Sequence, residues 1–298
     1  MNSEPDWNLY RTFLIVLQEG SLSGAARRLD LTQPTVTRHI DALEKSMGAD
    51  LFLRTQRGLT PTDVALKLVP HAETLAATAA ALMRVASDRT GEARGTVRVS
   101  ASEIVSVEHL PRILAGLRRQ HPRLVIELVL SNAVDDLLRR EADIAVRMTE
   151  PVQDVLLARR LPSIELGLYA HRDYLAQRRV PTSMESIADH DLIGFDHEIP
   201  RLRAFVQRFP ALNRSAFALR TDSDIAQLAA IRAGFGIGIC QVAVASRDPN
   251  LVRVLPDLVS VEIGLWIVMH EDLKTSARCK VVFDALVNGL SKCRKLGL

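Results

Sequence analysis

The residue pattern changes period near Gly95, and no single layer arrangement accommodates both halves. Upstream, apolar residues recur at helical spacing. Downstream, apolar strand-like runs alternate with amphipathic stretches. A helical bundle and an alternating α/β layer bury their apolar surface differently, so two separately built parts are expected. The length of 298 residues agrees with a prior of roughly two domains.

The upstream half is rich in start and stop signals. Leu9, Phe13, Val16 and Leu17 share one helical face, and Gly20 supplies a stop. Ser21 is an N-cap for a short helix closing at Leu29, and Thr32 is a second cap. Pro34 falls in the first turn of the next helix, about 33–47, where its missing N–H costs nothing. That helix runs to Gly48. The run LFLRTQRGLTPT then predicts a small hairpin turning at Gln56-Arg57-Gly58. Residues 62–89 are Ala- and Leu-rich without glycine, predicting a helix of roughly 40 Å that Pro70 kinks or divides.

At about 100° per residue from Val36, the side chains of Ile40, Leu43 and Met47 fall on one face, which predicts the buried side. Gln33, Thr37 and Arg38 occupy the outer N-terminal face. Arginine pairs with guanine and glutamine with adenine through two hydrogen bonds each, so the two helices resemble a helix-turn-helix reading the major groove. Arg54 and Arg57 on the hairpin are placed as a wing. The same pattern also describes a small helical bundle whose polar face is merely solvated.

Downstream of Gly95, strands are expected over 96–101, 124–130, 143–148, 164–170, 192–196, 217–221, 237–240 and 261–269. Helices are expected over 107–119, 133–140, 224–233 and 276–292. Such alternation with apolar strands implies parallel sheets covered on both faces.

Charge does not single out nucleic acid. The net charge is +3, and residues 1–90 hold ten basic and ten acidic residues. Phosphate neutralisation is local, so placement of the cations matters more than their number. No apolar run approaches the roughly 18–20 residues of a membrane span, and the N-terminus has no apolar core of a secretory signal. The three cysteines, Cys240, Cys279 and Cys293, are widely spaced without a C-x-x-C, which fits a reducing cytoplasm. No G-x-S-x-G, P-loop, H-E-x-x-H or Cys–His arrangement is present. No enzyme, metal or cofactor is expected.

Several ordered motifs connect these features. Glu19-Gly20-Ser21-Leu22-Ser23 and Ala25-Ala26-x-x-Leu29 precede Leu31-Thr32-Gln33-Pro34-Thr35-Val36-Thr37-Arg38-x-Ile40. Leu43-Glu44, Gly48, Leu51-Phe52, Arg54 and Leu59-Thr60-Pro61-Thr62 follow at fixed spacing. This stretch resembles the LysR-type transcriptional regulators, and the remaining order of elements fits the same family. Ala65 stands where that family usually has glycine. The resemblance implies a winged helix-turn-helix over 1–62, a linker helix for dimerisation over 63–90 and an effector-binding domain over 91–298. That last domain would be two-lobed and periplasmic-binding-protein-like, with lobes 95–162 plus 268–298 and 163–267.

By the same resemblance, Gln33, Pro34, Thr37 and Arg38 would face bases, and Thr32, Thr35 and Arg54 would hold phosphates. A homodimer burying Leu66, Leu75, Leu82 and Met83, or a homotetramer, would occupy an inverted repeat in double-stranded DNA and contact RNA polymerase. Ligands of open α/β sheets bind at the carboxyl ends of strands. That rule nominates Ser100, Ser102, Ser131, Asn132 and Arg147 in one lobe and Phe195, Thr221, Asp222 and Ser223 in the other. Hydroxyls and one arginine suggest a carboxylate effector. Ser102 and Ser223 also serve as helix caps, Arg147 as a partner of Asp143 or Glu150, and Phe195 as core. The glycines of Gly234-x-Gly236-x-Gly238 read as close helix–strand packing, and Cys240 as a buried apolar residue.

Overall fold

A computed structural model describes residues 5–55, 58–86, 93–132, 142–151, 156–197 and 207–293. Arg57, the side chain of Arg54 and the expected helix over 133–140 lie outside them. The chain divides into two compact units, one reaching Met83 and one holding the α/β part.

The first unit comprises α1 (Trp7–Glu19), α2 (Leu22–Leu29), α3 (Gln33–Met47), a hairpin of β1 (Phe52–Thr55) and β2 (Gly58–Pro61), and α4 (Asp63–Ala86). Each of the first three helices starts on a side-chain oxygen. Asp6 accepts from the Asn8 N–H at 2.8 Å, Ser21 from Gly24 at 3.1 Å and Thr32 from Thr35 at 3.4 Å. A cap of this kind contributes about 1 kcal/mol. Helix α3 ends at Gly48, whose φ of 66° is a left-handed turn that side chains resist. Phe13, Val16, Ala25, Val36, Ile40, Leu43 and Leu51 form the core.

Two expectations need correction here. Met47 is the last residue of α3 and is exposed rather than buried, because the chain leaves the core at Gly48. Pro70 does not divide α4, which runs through it as one helix. Proline forfeits one backbone bond, and Ala65 and Ala72, both buried in the core, hold the helix on either side of it. Ala65 is thus a packing residue, fully buried.

Glu44 ties the hairpin to α3. Its Oε1 accepts from the backbone N–H of Leu51 at 2.7 Å and of Phe52 at 3.2 Å. Thr62 accepts from the Ala65 N–H at 3.2 Å and donates to the Asp50 carbonyl at 2.9 Å, so the start of α4 is bound to the turn before β1.

The second unit contains β3 (Gly95–Ala101), α5 (Glu103–Glu108), α6 (Leu110–Gln120), β4 (Leu124–Leu130), β5 (Ile144–Arg147), β6 (Leu156–His171) and α7 (Arg172–Gln177). It continues through β7 (Leu192–Gly194), β8 (Phe217–Arg220), α8 (Asp224–Arg232), β9 (Ile237–Gln241) and α9 (Val242–Ala245). The chain closes with β10 (Leu251–Val254), β11 (Val261–His270) and α10 (Ala277–Cys293). Among the described residues the strands join in the order β4-β3-β5-β11-β6-β9-β7-β8, with β10 also on β6.

The sheet is not purely parallel as expected. Strands β3, β4 and β5 are parallel, as are β7, β8 and β9, but β6 and β11 are antiparallel to each other. Strand β6 carries the chain out of the first lobe and β11 returns it, so opposite directions are unavoidable. Their register shifts between Ile263 and Leu265, where Gly264 opposes Pro162 and Ser163. Pro162 therefore sits at a bulge, where its missing N–H removes no ladder bond. At Gly236 a side chain would overlap the Asp191 carbonyl, so this glycine permits close backbone approach.

The lobes meet through α5. Ser223 Oγ donates to Glu103 Oε2 at 2.7 Å, Arg232 pairs with Glu108 at 2.8 Å, and Arg247 donates to the Glu108 carbonyl at 2.8 Å. Buried His109 joins them, its Nε2 lying 2.8 Å from Gln241 Oε1 and its Nδ1 3.3 Å from Arg247 Nη2. A guanidinium only donates, so Nδ1 accepts and the proton sits on Nε2. Burial holds this imidazole below the ordinary histidine range, Arg247 acts in the same direction, and the Gln241 bond opposes them. Among the described residues no helix is long and apolar enough to cross a membrane.

Two outcomes are expected. Glu44→Ala should destabilise the first unit by about 1–3 kcal/mol, because two backbone donors lose their acceptor, whereas Glu44→Gln should lose less. Native-state hydrogen exchange of α1 and α3 amides measures both. Because the folded His109 resists protonation, the unfolded chain takes up the proton first as pH falls below about 6.5. Stability should therefore drop from there toward the lower folded pKa, and urea unfolding of His109→Gln should show a shallower acid slope than the unmodified chain.

Candidate DNA-reading face and ligand cleft

Helix α3 has one buried and one open face. Val36, Ile40 and Leu43 are buried, while Gln33, Pro34 and Arg38 are exposed within its first two turns and Thr37 is half-buried. Thr32 and Thr35 bring their hydroxyls within 2.8 Å, and Arg38 donates to Thr35 Oγ1 at 3.4 Å. The Thr37 hydroxyl donates to the Gln33 carbonyl at 3.0 Å, which keeps its lone pairs and methyl group for an outside partner. The free N–H groups and positive dipole end of α3 point out beside Thr32, a setting that suits phosphate. The structure thus gathers Thr32, Gln33, Pro34, Thr35, Thr37 and Arg38 at the N-terminal end of a single helix.

Sequence reasoning missed one residue that orients this helix. Thr12 donates to the Asn8 carbonyl at 2.7 Å, so the 2.9 Å contact with His39 Nδ1 must run from the imidazole N–H to Thr12. The bond pins α3 across α1. A polar residue next to the buried face was the available signal.

On α4, Leu66, Leu75, Leu82 and Met83 are all exposed, at 46% to 73% of their surface. Ala65 and Ala72 on the same helix are buried.

In the second unit a cavity of about 160 Å³ opens between the lobes. Ile104, Met148, Leu166, Leu228, Ile239 and Ile263 supply an apolar wall. Phe195, Cys240, Asp224, Gln227 and Gln241 complete most of it. Burial in these surroundings pushes the Cys240 thiol up to about 12, so it is protonated and apolar in character.

Of the effector residues expected from sequence, Phe195 lines this cavity and the others are not among its described lining residues. Arg147 is buried, donating to Ser100 Oγ at 2.8 Å and to the Val146 carbonyl at 3.1 Å. Ser102 is 3% exposed, and its hydroxyl makes no hydrogen bond among the described residues. The Ser131 N–H donates to the Ala101 carbonyl at 2.9 Å, and Asn132 is exposed. Asp222 accepts from the backbone N–H groups of Asp196 and His197, both at 3.0 Å, and from the His197 ring. Its bonds raise the imidazole pKa of His197 and lower its own. Thr221 closes the same turn by donating its N–H to the Gly194 carbonyl at 2.9 Å. Ser223 caps α8 through the Ala226 N–H at 3.3 Å and also reaches Glu103.

The carboxylate expectation gains no support from this lining. No basic side chain among the described residues lines the cavity, and Arg147 is engaged with Ser100 beside it. Among the lining residues that sequence reasoning missed are Asp224, Gln227 and Leu228. Their i, i+3, i+4 spacing on α8 was the readable signal.

Comparison with known proteins agrees with the geometry. Residues 7–66 match the bacterial regulatory helix-turn-helix protein, lysR family, and residues 90–291 match the LysR substrate binding domain. A probable HTH-type transcriptional regulator LtrA of Klebsiella pneumoniae is 25% identical over 96% of this chain and 94% of its own length. The HTH-type transcriptional regulator PgrR of Escherichia coli K12 is 26% identical, and the match spans 61% of this chain and 61% of PgrR. A crystal structure of full-length CbnR complexed with its target DNA shares the fold with a TM-score of 0.64 at 19% identity, covering 95% of this chain and 99% of that one. With both parts matched in order and the substrate-binding model alone spanning more than half its length, the chain belongs to the LysR family of transcriptional regulators.

Proposed function

We propose that this chain binds an inverted-repeat operator in double-stranded DNA as a homodimer or a homotetramer built from dimers, under the control of a small molecule held between the lobes. The observation that carries this reading is the open face of α3, where Gln33, Pro34 and Arg38 stand exposed above a fully buried Val36. Gln33, Pro34, Thr37 and Arg38 read base edges, and Thr32, Thr35 and Arg54 hold phosphates. Arg57, outside the described residues, is assigned from sequence to the DNA backbone as well. The CbnR complex supports the choice of partner, since it places a protein of this fold on its target DNA.

Dimerisation is assigned to α4. Leu66, Leu75, Leu82 and Met83 present apolar surface along a helix that buries only Ala65 and Ala72 in its own core, and a second copy removes that surface from water. Two α3 helices then meet successive major grooves about 34 Å apart. The ligand acts by shifting a pre-existing equilibrium between lobe arrangements, which alters DNA bending or RNA polymerase contact. Ser102 supports a ligand site at the cleft, since its buried hydroxyl lacks a hydrogen bond among the described residues and lies two residues from Ile104 in the cavity wall. Ser100, Arg147, Ser131, Asn132 and the Thr221-Asp222-Ser223 turn shape the surrounding polar shell.

Selection of an operator from random duplexes by the full-length chain gives the DNA needed for the test. Arg38→Ala should cost about 1–3 kcal/mol on that operator and leave random-sequence binding intact. Equal losses on both would remove Arg38 from the base-reading set. For assembly, Leu82→Glu with Met83→Glu should lower the sedimentation coefficient of the wild-type oligomer at unchanged helix content. An unaltered coefficient would reject α4 as the dimer element.

A further inference from the structure

We infer that a second cavity in the α/β unit, separate from the cleft, binds a neutral and largely apolar compound through one carbonyl oxygen, with the side-chain amide of Gln241 as the hydrogen-bond donor. This cavity has a volume of about 180 Å³. An apolar cavity of roughly 150 Å³ is large enough to admit benzene, so a six-membered ring fits. Val105, Val242, Ala243, Leu265 and Leu290 supply most of the wall. The two cavities use different faces of α5. Ile104 lines the cleft, whereas Val105 and His109, about 100° or more further round, line the second cavity. Among the described residues Gln241 alone belongs to both walls.

A chain of hydrogen bonds fixes which end of that amide is left over. Arg247 donates to His109 Nδ1 at 3.3 Å, so the imidazole proton sits on Nε2 and is donated to Gln241 Oε1 at 2.8 Å. The amide oxygen is thereby engaged, and no hydrogen bond among the described residues takes the N–H₂ end. Gln241 is 3% exposed, so these donors are cut off from bulk water, a costly state that an entering carbonyl oxygen relieves. Ser163 adds a half-buried hydroxyl to the same wall, while the described lining of the cleft contains no hydroxyl. The remaining polar groups disfavour an ion. Burial keeps His109 neutral near pH 7. Glu165 Oε1 already accepts from Arg253 at 2.6 Å and from Ser260 at 2.8 Å. An anion would find no cation among the described lining residues, and a cation would have to share Glu165 with Arg253. A neutral acceptor meets neither obstacle.

The test uses the full-length chain and four compounds built on one six-membered ring: cyclohexanone, methylenecyclohexane, cyclohexanecarboxylate and cyclohexylammonium. Cyclohexanone should raise Tm by several degrees when present at about a hundred times its Kd. Methylenecyclohexane keeps the shape without the oxygen and should bind about tenfold more weakly. The two ions should not bind. Position is read by thiol alkylation located by peptide mass. Cyclohexanone should slow labelling of the thiol introduced by Ser163→Cys and leave unchanged the labelling of Met148→Cys, which reports on the cleft wall. Gln241→Leu should reduce cyclohexanone binding to the level of the hydrocarbon. Should that variant fail to fold because His109 loses its acceptor, the ketone-to-hydrocarbon ratio on the unmodified chain decides the same point. Silence to cyclohexanone, or equal binding of ketone and hydrocarbon, would overturn the assignment. Protection of Met148→Cys in place of Ser163→Cys would move the compound into the cleft and overturn the second site.

Discussion

The antiparallel pairing of β6 with β11 is the constraint on which the α/β unit depends. Each lobe has its own parallel strands, and neither lobe could be joined to the other by loops alone without leaving sheet edges open. Two long strands passing in opposite directions close both edges at once and give the lobes a common floor. Leu166 and Ile263 in that floor are also walls of the cavity. The cavity is therefore a by-product of how the chain crosses between lobes, and Gly264 at the bulge in β11 forms part of its wall.

The helical unit rests on a different economy. It is small, and its apolar core involves little more than one face of each helix. What fixes the orientation of α3 is a set of directional polar bonds around that core: His39 to Thr12 on one side and Glu44 to the hairpin backbone on the other. Hydrophobic contact alone would allow a helix to roll, and a rolled α3 would present a different face. These bonds specify which residues look outward.

Much of this was legible in the sequence. The caps at Ser21 and Thr32 and the stop at Gly48 marked helix limits because each uses chemistry confined to a few neighbouring residues. Strands β3 and β4 were clear as apolar runs. The first half of β6 was not, since Arg159, Arg160 and Pro162 suggest a loop, and only the bulge against β11 makes a proline tolerable there. Strand β10 is four residues long and was missed, because its pairing with β6 spans over eighty residues of sequence and leaves no local trace. The site followed the same rule. The residues on α3 were found because one helix presents them. The bond of Arg147 to Ser100 is a tertiary contact that no local pattern in the sequence announces.

Cys240 adds a consequence for the timescale of any response. It belongs to the cavity wall, yet a thiol held protonated up to about pH 12 is neither nucleophile nor reductant near neutrality. An aldehyde or other electrophile lodged against it would not be captured covalently. An occupant of the cleft would therefore meet Cys240 through packing alone, with no bond to that sulfur to slow its departure.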